Sequence, residues 1–297
     1  MMKDTFSNMH PFINFIFFAL TIGFTMFIMN PVCLAVSFLC ALVTALYLNG
    51  KKAVRLSLVY LLPMILLIVL INPVFNHEGM TILTYFPWDN PLTLESIVYG
   101  IASAFLLSST VLWFSSFNAV ITSDKVVFLF GRIMPSLSLV ISMALRFVPR
   151  FSAQMKLVRN AQHTIGRDID EGTLFQRIRN AVKILSIMIT WSLENAIETA
   201  DSMKSRGHGL KGRTSYSLYK FDKRDAFMLC TILFTGLVLM ILLFTNAIKF
   251  RYYPSIKGDL FTVQSVIFYI FYTFLMLIPL SVNVGEGLKW KHMQSKI

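Results

Sequence analysis

Charged side chains are scarce in this chain of 297 residues: Asp, Glu, Lys and Arg make up 14% of it, against roughly 25% in soluble domains. Six stretches hold no charge at all, namely Phe12–Met29, Val32–Leu48, Leu56–Phe75, Ile97–Phe117, Ala226–Ile248 and Leu260–Val284. A water-soluble enzyme has no use for such runs. Their lack of charged residues also removes the usual relay of an ion-driven carrier and the charged ring of an ion filter. Cysteine is equally sparse. The three present (Cys33, Cys40, Cys230) all lie inside apolar runs, so neither a disulfide framework nor a thiolate metal site is expected. A phosphate-binding G-x-x-x-x-G-K-[ST] loop is missing, and Gly207–Thr214 resembles one only in glycine content, so the chain should not hydrolyse ATP. The five histidines are far apart and none stands at a catalytic spacing to Cys or Ser. No chemistry and no cofactor is assigned to them.

What the chain does contain is apolar sequence: 56% hydrophobic residues and a mean hydropathy of +0.65. The six runs are 17 to 25 residues long, enough for helices rising about 1.5 Å per residue to cross a core of roughly 30 Å. Alternating ten-residue segments typical of an outer-membrane barrel do not occur. The net charge of +12 follows topology rather than nucleic acid, for which no binding is expected. Of 27 Lys and Arg, 17 fall between Asn118 and Asp225, and the connection from Asn76 to Ser96 has none. Under the positive-inside rule both termini and the central segment are predicted to be cytoplasmic, in a cell membrane of bacterial type. The first run, followed by Asn30-Pro31-Val32-Cys33, is a poor cleavage site and is expected to stay in the bilayer.

The fold class that follows is all-α: a polytopic helical membrane protein with about six spanning helices and two to three long cytoplasmic helices. Three parts are expected. Residues 1–117 form four spans, residues 118–225 a basic part lying in and over the interface, and residues 226–297 a two-span hairpin with a basic tail. Within the middle part, Ile133–Leu145 is apolar but too short to span, and Pro149 is expected to kink or end its helix. A second helix is predicted from Phe151 to about Ile165, and a break at Asp168–Thr173. A third is predicted from Thr173, with Gln176 completing a capping box, to Arg206, with Gly207 in a left-handed turn. Glu194, Glu198 and Asp201 share one face of that helix, and without His or Cys nearby they read as a solvated or partner-facing stripe.

Ala200-Asp201-Ser202-Met203-Lys204-Ser205-Arg206-Gly207-His208 resembles the A-x-A-M-E-A-R-G-[FY] pattern of the transmembrane T component of energy-coupling factor (ECF) transporters. Ala200, Met203, Arg206 and Gly207 match, Ser202 and Ser205 stand for small residues, and Lys204 and His208 depart. An earlier element, Ala161-Gln162-His163-Thr164-Ile165-Gly166-Arg167, resembles the family's other Ala-x-x-x-Arg-Gly motif. There Ile165 stands at the Arg position and Arg167 follows two residues later, with Arg159 as the alternative arginine. His10-Pro11, Asn30-Pro31, Asn72-Pro73 and Leu145-Arg146-Phe147-Val148-Pro149 extend the likeness over nearly the whole chain.

The resemblance implies a coupling scaffold of an ATP-driven importer for a vitamin or metal micronutrient, itself without catalytic activity. Its partners would be two ABC-type ATPase subunits, a substrate-binding membrane S component and the lipid bilayer. Arg206, Gly207, Ser202, Met203, Ala161, Gly166 and Arg167 would dock the ATPases. The embedded apolar stretches, with Leu137, Val140, Ile141, Leu185 and Ile189, would meet the S component. Arg suits docking because its planar fork holds a carboxylate bidentately and keeps its charge. The rival reading is a self-contained carrier or channel with a cytoplasmic helical domain.

Overall fold

Several of these motifs are helix starts. His10 Nδ1 accepts from Phe12 N at 3.3 Å ahead of α1 (Pro11–Phe27), and Asn30 Oδ1 accepts from Val32 N at 3.0 Å ahead of α2 (Pro31–Asn49). Each proline takes the first helical position, where its missing N–H costs nothing. A computed structural model describes residues 5–85, 91–167, 169–170, 172–210 and 219–294. After α2 come α3 (Lys51–Arg55), a π-helical turn over Leu56–Leu61 and α4 (Leu62–Phe75). The π turn sits just before Pro63, whose missing donor is absorbed by the wider winding. Next are β1 (Ile82–Tyr85), β2 (Pro91–Thr93), α5 (Leu94–Val120), α6 (Ser123–Ile133), α7 (Pro135–Thr164) and α8 (Leu174–Ser205). The chain ends with α9 (Lys223–Phe244), β3 (Phe250–Arg251), β4 (Lys257–Gly258) and α10 (Val263–Gln294).

The protein is an all-α, polytopic membrane protein whose strands are two short antiparallel ribbons in connections. Among the described residues six helical segments are long and apolar enough to cross a bilayer: 31–49, 51–75, 94–120, 136–164, 223–244 and 263–294. The apolar α1 is shorter, at 17 residues. One expectation is corrected here. Pro149 neither breaks nor ends a helix; α7 runs unbroken for 30 residues through it, joining what the sequence divides at Phe151. Phe147 and Phe151, on either side of the proline, both rest on Trp191 of α8.

The chain divides into two compact units, Met1–Val126 with Tyr219–Ile297, and Val127–Leu218. The first is built around α5, which packs on α1, α2 and α4, while α10 packs on α2 and α9. Small buried residues on α5 (Gly100, Ala102, Ala104, Ser108, Ser109) allow close helix approach, which drives association where lipid is as apolar as leucine. A Cβ at Gly100 would lie 3.1 Å from Asn72 Cβ on α4. Trp113 of α5 is fully buried beside Phe17 and Phe18, and its indole N–H donates to Ser37 Oγ at 3.1 Å.

Two features of this unit are unexpected from the sequence. Lys125 is 5% exposed; its ammonium donates to Ser7 O and, at 2.8 Å, to Val120 O at the end of α5. The segment before α1 is thereby tied down, and Phe6 N donates to Asn283 Oδ1 of α10 at 2.9 Å. At the ribbons, Glu95 is nearly buried and accepts from Thr81 Oγ1 at 2.9 Å. Met80 N donates to Pro254 O at 3.1 Å, and Tyr99 lies between Tyr252 and Tyr253. Burial pushes the Tyr252 and Tyr253 phenols up to about 12.

In the second unit α8 begins with the predicted capping box, Thr173 N donating to Gln176 Oε1 at 3.0 Å. Asn180, Ile184, Met188 and Asn195 are its buried residues. The indole of Trp191 stacks on Phe147 of α7 with centroids 5.8 Å apart and planes 26° from parallel, and the Arg150 guanidinium lies 5.8 Å from its ring. An aromatic pair contributes about 0.5–1.5 kcal/mol and an exposed cation–π contact about 0.5–1. Trp191→Ala should therefore loosen α7 against α8 by roughly 2 kcal/mol. Hydrogen exchange along both helices should rise in that variant and stay low in Trp191→Phe.

Candidate functional site

The two motifs singled out in the sequence are the C-terminal ends of α7 and α8, and they adopt the same backbone closure. At the end of α8, Gly207 has φ +76°, its N–H donates to Lys204 O at 2.9 Å, and His208 N donates to Met203 O at 3.0 Å. At the end of α7, Gly166 has φ +70°, its N–H donates to His163 O at 2.9 Å, and Arg167 N donates to Gln162 O at 2.9 Å. Both are Schellman caps, in which a left-handed glycine lets two N–H groups satisfy the last carbonyls. A side chain at either glycine strains the turn, and at Gly207 a Cβ would also stand 3.1 Å from Leu210 Cδ1. Gly207→Ala should fray the last turn of α8 by roughly 1–2 kcal/mol. Protease cleavage rates at Lys204 and Arg206 would measure it.

Matching the glycines aligns the residues. Arg206 caps α8 with φ −84° and ψ 9°; Ile165 caps α7 with φ −99° and ψ 17°. Ser202 corresponds to Ala161, Met203 to Gln162 and His208 to Arg167. Ser202, Arg206, Ala161, Ile165, Gly166 and Arg167 are exposed, while Met203 and Gly207 are half-buried. Arg167 therefore lies beyond the glycine, two places after the cap, and it is Ile165, 59% exposed, that occupies the place Arg206 holds on α8. Arg159 is engaged elsewhere: it pairs with Asp170 in the connection, and Arg177 Nε donates to Ile169 O at 2.7 Å. Asp168 and Glu171 of the predicted break, and residues 211–214 of the predicted turn after α8, lie outside the described residues.

Helix α8 carries the two tips apart. Its 32 residues span about 48 Å, with the Gly166-Arg167 end close in sequence to its start and Arg206 at its finish. Along it, Leu174, Phe175, Ile178, Val182, Leu185, Ile189 and Leu193 are all more than half exposed. At 100° per residue they fall within an arc of about 100°. That stripe contains Leu185 and Ile189, and its other members were legible in the spacing but not singled out. On α7, Leu137 and Val140 are exposed and Ile141 is half-buried. Glu194, Glu198 and Asp201 are exposed, and among the described residues no group of three or more His, Cys, Asp or Glu is placed to hold a metal ion.

Comparison with known proteins decides the family. The model of the CbiQ family, cobalt transport protein, matches residues 3–216. The chain belongs to the CbiQ family. Among curated relatives, the energy-coupling factor transporter transmembrane protein EcfT of Lactobacillus helveticus is 40% identical over 106 residues, 35% of this chain and 38% of the relative. EcfT of Streptococcus thermophilus is 33% identical over 138 residues, 46% of this chain and 52% of the relative. EcfT of Exiguobacterium sibiricum is 26% identical over 208 residues, 65% and 78%. The matched stretch thus spans only 38% and 52% of the first two relatives. These names agree with the T-component resemblance, and this CbiQ-family chain is a multi-pass membrane protein of a transport family.

Proposed function

We propose that this chain is the coupling subunit of an ECF-type importer. In this reading its two helix tips dock two ABC-type ATPase subunits, and its apolar surfaces hold a separate substrate-binding S component for a vitamin or metal. The observation that carries the reading is the pair of matched caps that close α7 and α8, each a tip with an exposed side chain at the turn. A tip suits this task because the glycine turns the chain away at once and leaves the cap residue leading. Residues 118–225 then act as the coupling part. Their basic charge supports a cytoplasmic position for them and for both termini. The hydrolytic step belongs to the partners, since the chain has no phosphate-binding loop. The exposed stripe of α8 and the apolar start of α7 form the S-component platform, where Leu137, Val140, Ile141, Leu185 and Ile189 lie.

The test is co-expression of the tagged full chain with ATPase subunits from the same organism, followed by native mass spectrometry in detergent. The expected species carries one copy of this chain and two ATPase subunits. A chain that emerges alone, and moves a solute by itself in liposomes, would be a self-contained carrier.

A further inference from the structure

A cleft in the membrane unit has no part in the coupling reading. Its volume is about 550 Å³, and it lies where the end of α2 meets α3, the π turn and the last third of α5. The lining is of two kinds: Leu56, Val111 and Phe114 are apolar, while Lys52 and Asn118 are charged or polar and exposed. Beside them Asn49 Nδ2 donates to Ser115 O at 3.3 Å and to Ser115 Oγ at 3.1 Å, tying the end of α2 to α5. The apolar side continues along α5, because Leu107, Val111 and Phe114 follow at spacings of four and three and so share one face. Each of the three is between 37% and 46% exposed. The π turn begins at Leu56, and such irregular windings favour functional sites.

The charge beside this cleft has one sign. Lys51, Lys52 and Arg55 are exposed, and neither Thr5–His77 nor Ser96–Ser123 contains an Asp or Glu. Among the described residues no carboxylate pairs with these three cations. Three cations within five residues repel one another, and an anion that joins them relieves the repulsion. A small soluble anion would do so but leave the apolar wall wet; an uncharged lipid would cover the wall but leave the cations unpaired. We propose that the cleft binds one anionic phospholipid of the cytoplasmic leaflet. Its phosphate diester sits at Lys52 and Asn118, and an acyl chain runs along Leu56, Val111 and Phe114. The positive-inside orientation puts this end of α5 in the leaflet that is rich in anionic lipid, where basic pockets between spanning helices hold such headgroups. The site does not need the coupling reading, so a chain that captures no ATPase would still show it.

Photolabelling of the full chain in vesicles tests this. The chain would be reconstituted in phosphatidylcholine vesicles holding a trace of phosphatidylglycerol with a photoreactive diazirine in its acyl chain. A parallel preparation would hold a phosphatidylcholine probe with the same chain, and labelled positions would be mapped by mass spectrometry after irradiation. The phosphatidylglycerol probe is expected to label Leu56, Val111 or Phe114 several-fold more than the phosphatidylcholine probe does. Unlabelled phosphatidylglycerol should displace it, and inorganic phosphate in the buffer should not. Lys52→Gln should lower this labelling about five-fold, the loss expected for one basic side chain near a membrane surface. Lys51→Gln removes an equal charge one residue away, outside the cleft lining, and should lower it less. Equal labelling by the two probes would mean ordinary boundary lipid. Displacement by phosphate would mean a site for a free anion, and equal losses in the two variants would mean diffuse surface attraction. Each of these three results would overturn the proposal.

Discussion

Arg206→Glu is expected to abolish capture of the ATPase pair while leaving the membrane part folded. At the tip of α8 the guanidinium is exposed and the glycine behind it turns the chain away, so the side chain leads into whatever covers it. Once covered, it is desolvated together with its carboxylate partner. Removing one member of such a pair costs about 3–5 kcal/mol, because the other is left buried and unpaired. That corresponds to roughly 10²–10³-fold in affinity, and a reversed charge adds repulsion. Arg206→Lys should recover only part of the loss, since an ammonium cannot reproduce the bidentate fork. Binding of the purified ATPases to the immobilised full chain measures all three proteins. Unchanged affinity for Arg206→Glu would remove Arg206 from the interface.

Lys125→Met is expected to destabilise the membrane unit. The ammonium is 5% exposed and bonded to the backbone of two segments, Ser7 before α1 and Val120 at the close of α5. Methionine keeps the length of the side chain and removes every donor. A hydrogen bond to a charged group contributes about 1.5–3 kcal/mol, and the carbonyls left behind are poorly placed to find water. A loss of about 3 kcal/mol should lower the thermal midpoint of the detergent-solubilised protein by about 5–10 °C. Lys257→Met, at an exposed position, should leave the midpoint where it is. Equal midpoints for both variants would mean that the buried ammonium holds nothing together.

Much of this architecture is legible in the sequence because it is written in local chemistry. His10-Pro11, Asn30-Pro31 and Thr173 with Gln176 announce helix starts, and all three cap as that chemistry requires. Five of the six uncharged runs coincide with segments long and apolar enough to span, since no ion crosses hydrocarbon cheaply. Phe12–Met29 falls in the shorter α1, and 136–164 takes its place although it carries Arg146 and Arg150. The misreadings arise where a distant contact decides. Pro149 has the local signature of a helix end, yet α7 runs through it, with Phe147 and Phe151 on either side packed on Trp191 of α8. Lys125 reads as one more basic residue among the 17 of the central part, and nothing around it in sequence tells that Ser7 and Val120 close over it. Glu95 likewise gives no sign of Thr81.

The candidate site was half legible. Arg206-Gly207 stands out in the sequence because the cap chemistry and the family pattern coincide there. The earlier tip was harder to place, because reading for an arginine leads to Arg159 or Arg167. The glycine was the better guide: aligning Gly166 with Gly207 sets Ile165 opposite Arg206, as the two caps do in three dimensions. The α8 stripe was visible as periodicity, but only the packing of Asn180, Ile184 and Met188 tells which face it leaves uncovered.

The central claim is that this chain converts ATP hydrolysis by its partners into movement of a separate substrate-binding subunit. Uptake in proteoliposomes tests it most directly. Three preparations would be compared: this chain alone, this chain with its ATPases, and the full assembly with an S component and that component's own substrate. The account predicts uptake only in the full assembly, only with ATP inside the reach of the ATPases, and its loss in Arg206→Glu. Uptake by the chain alone, unaffected by ATP and by Arg206→Glu, would contradict it.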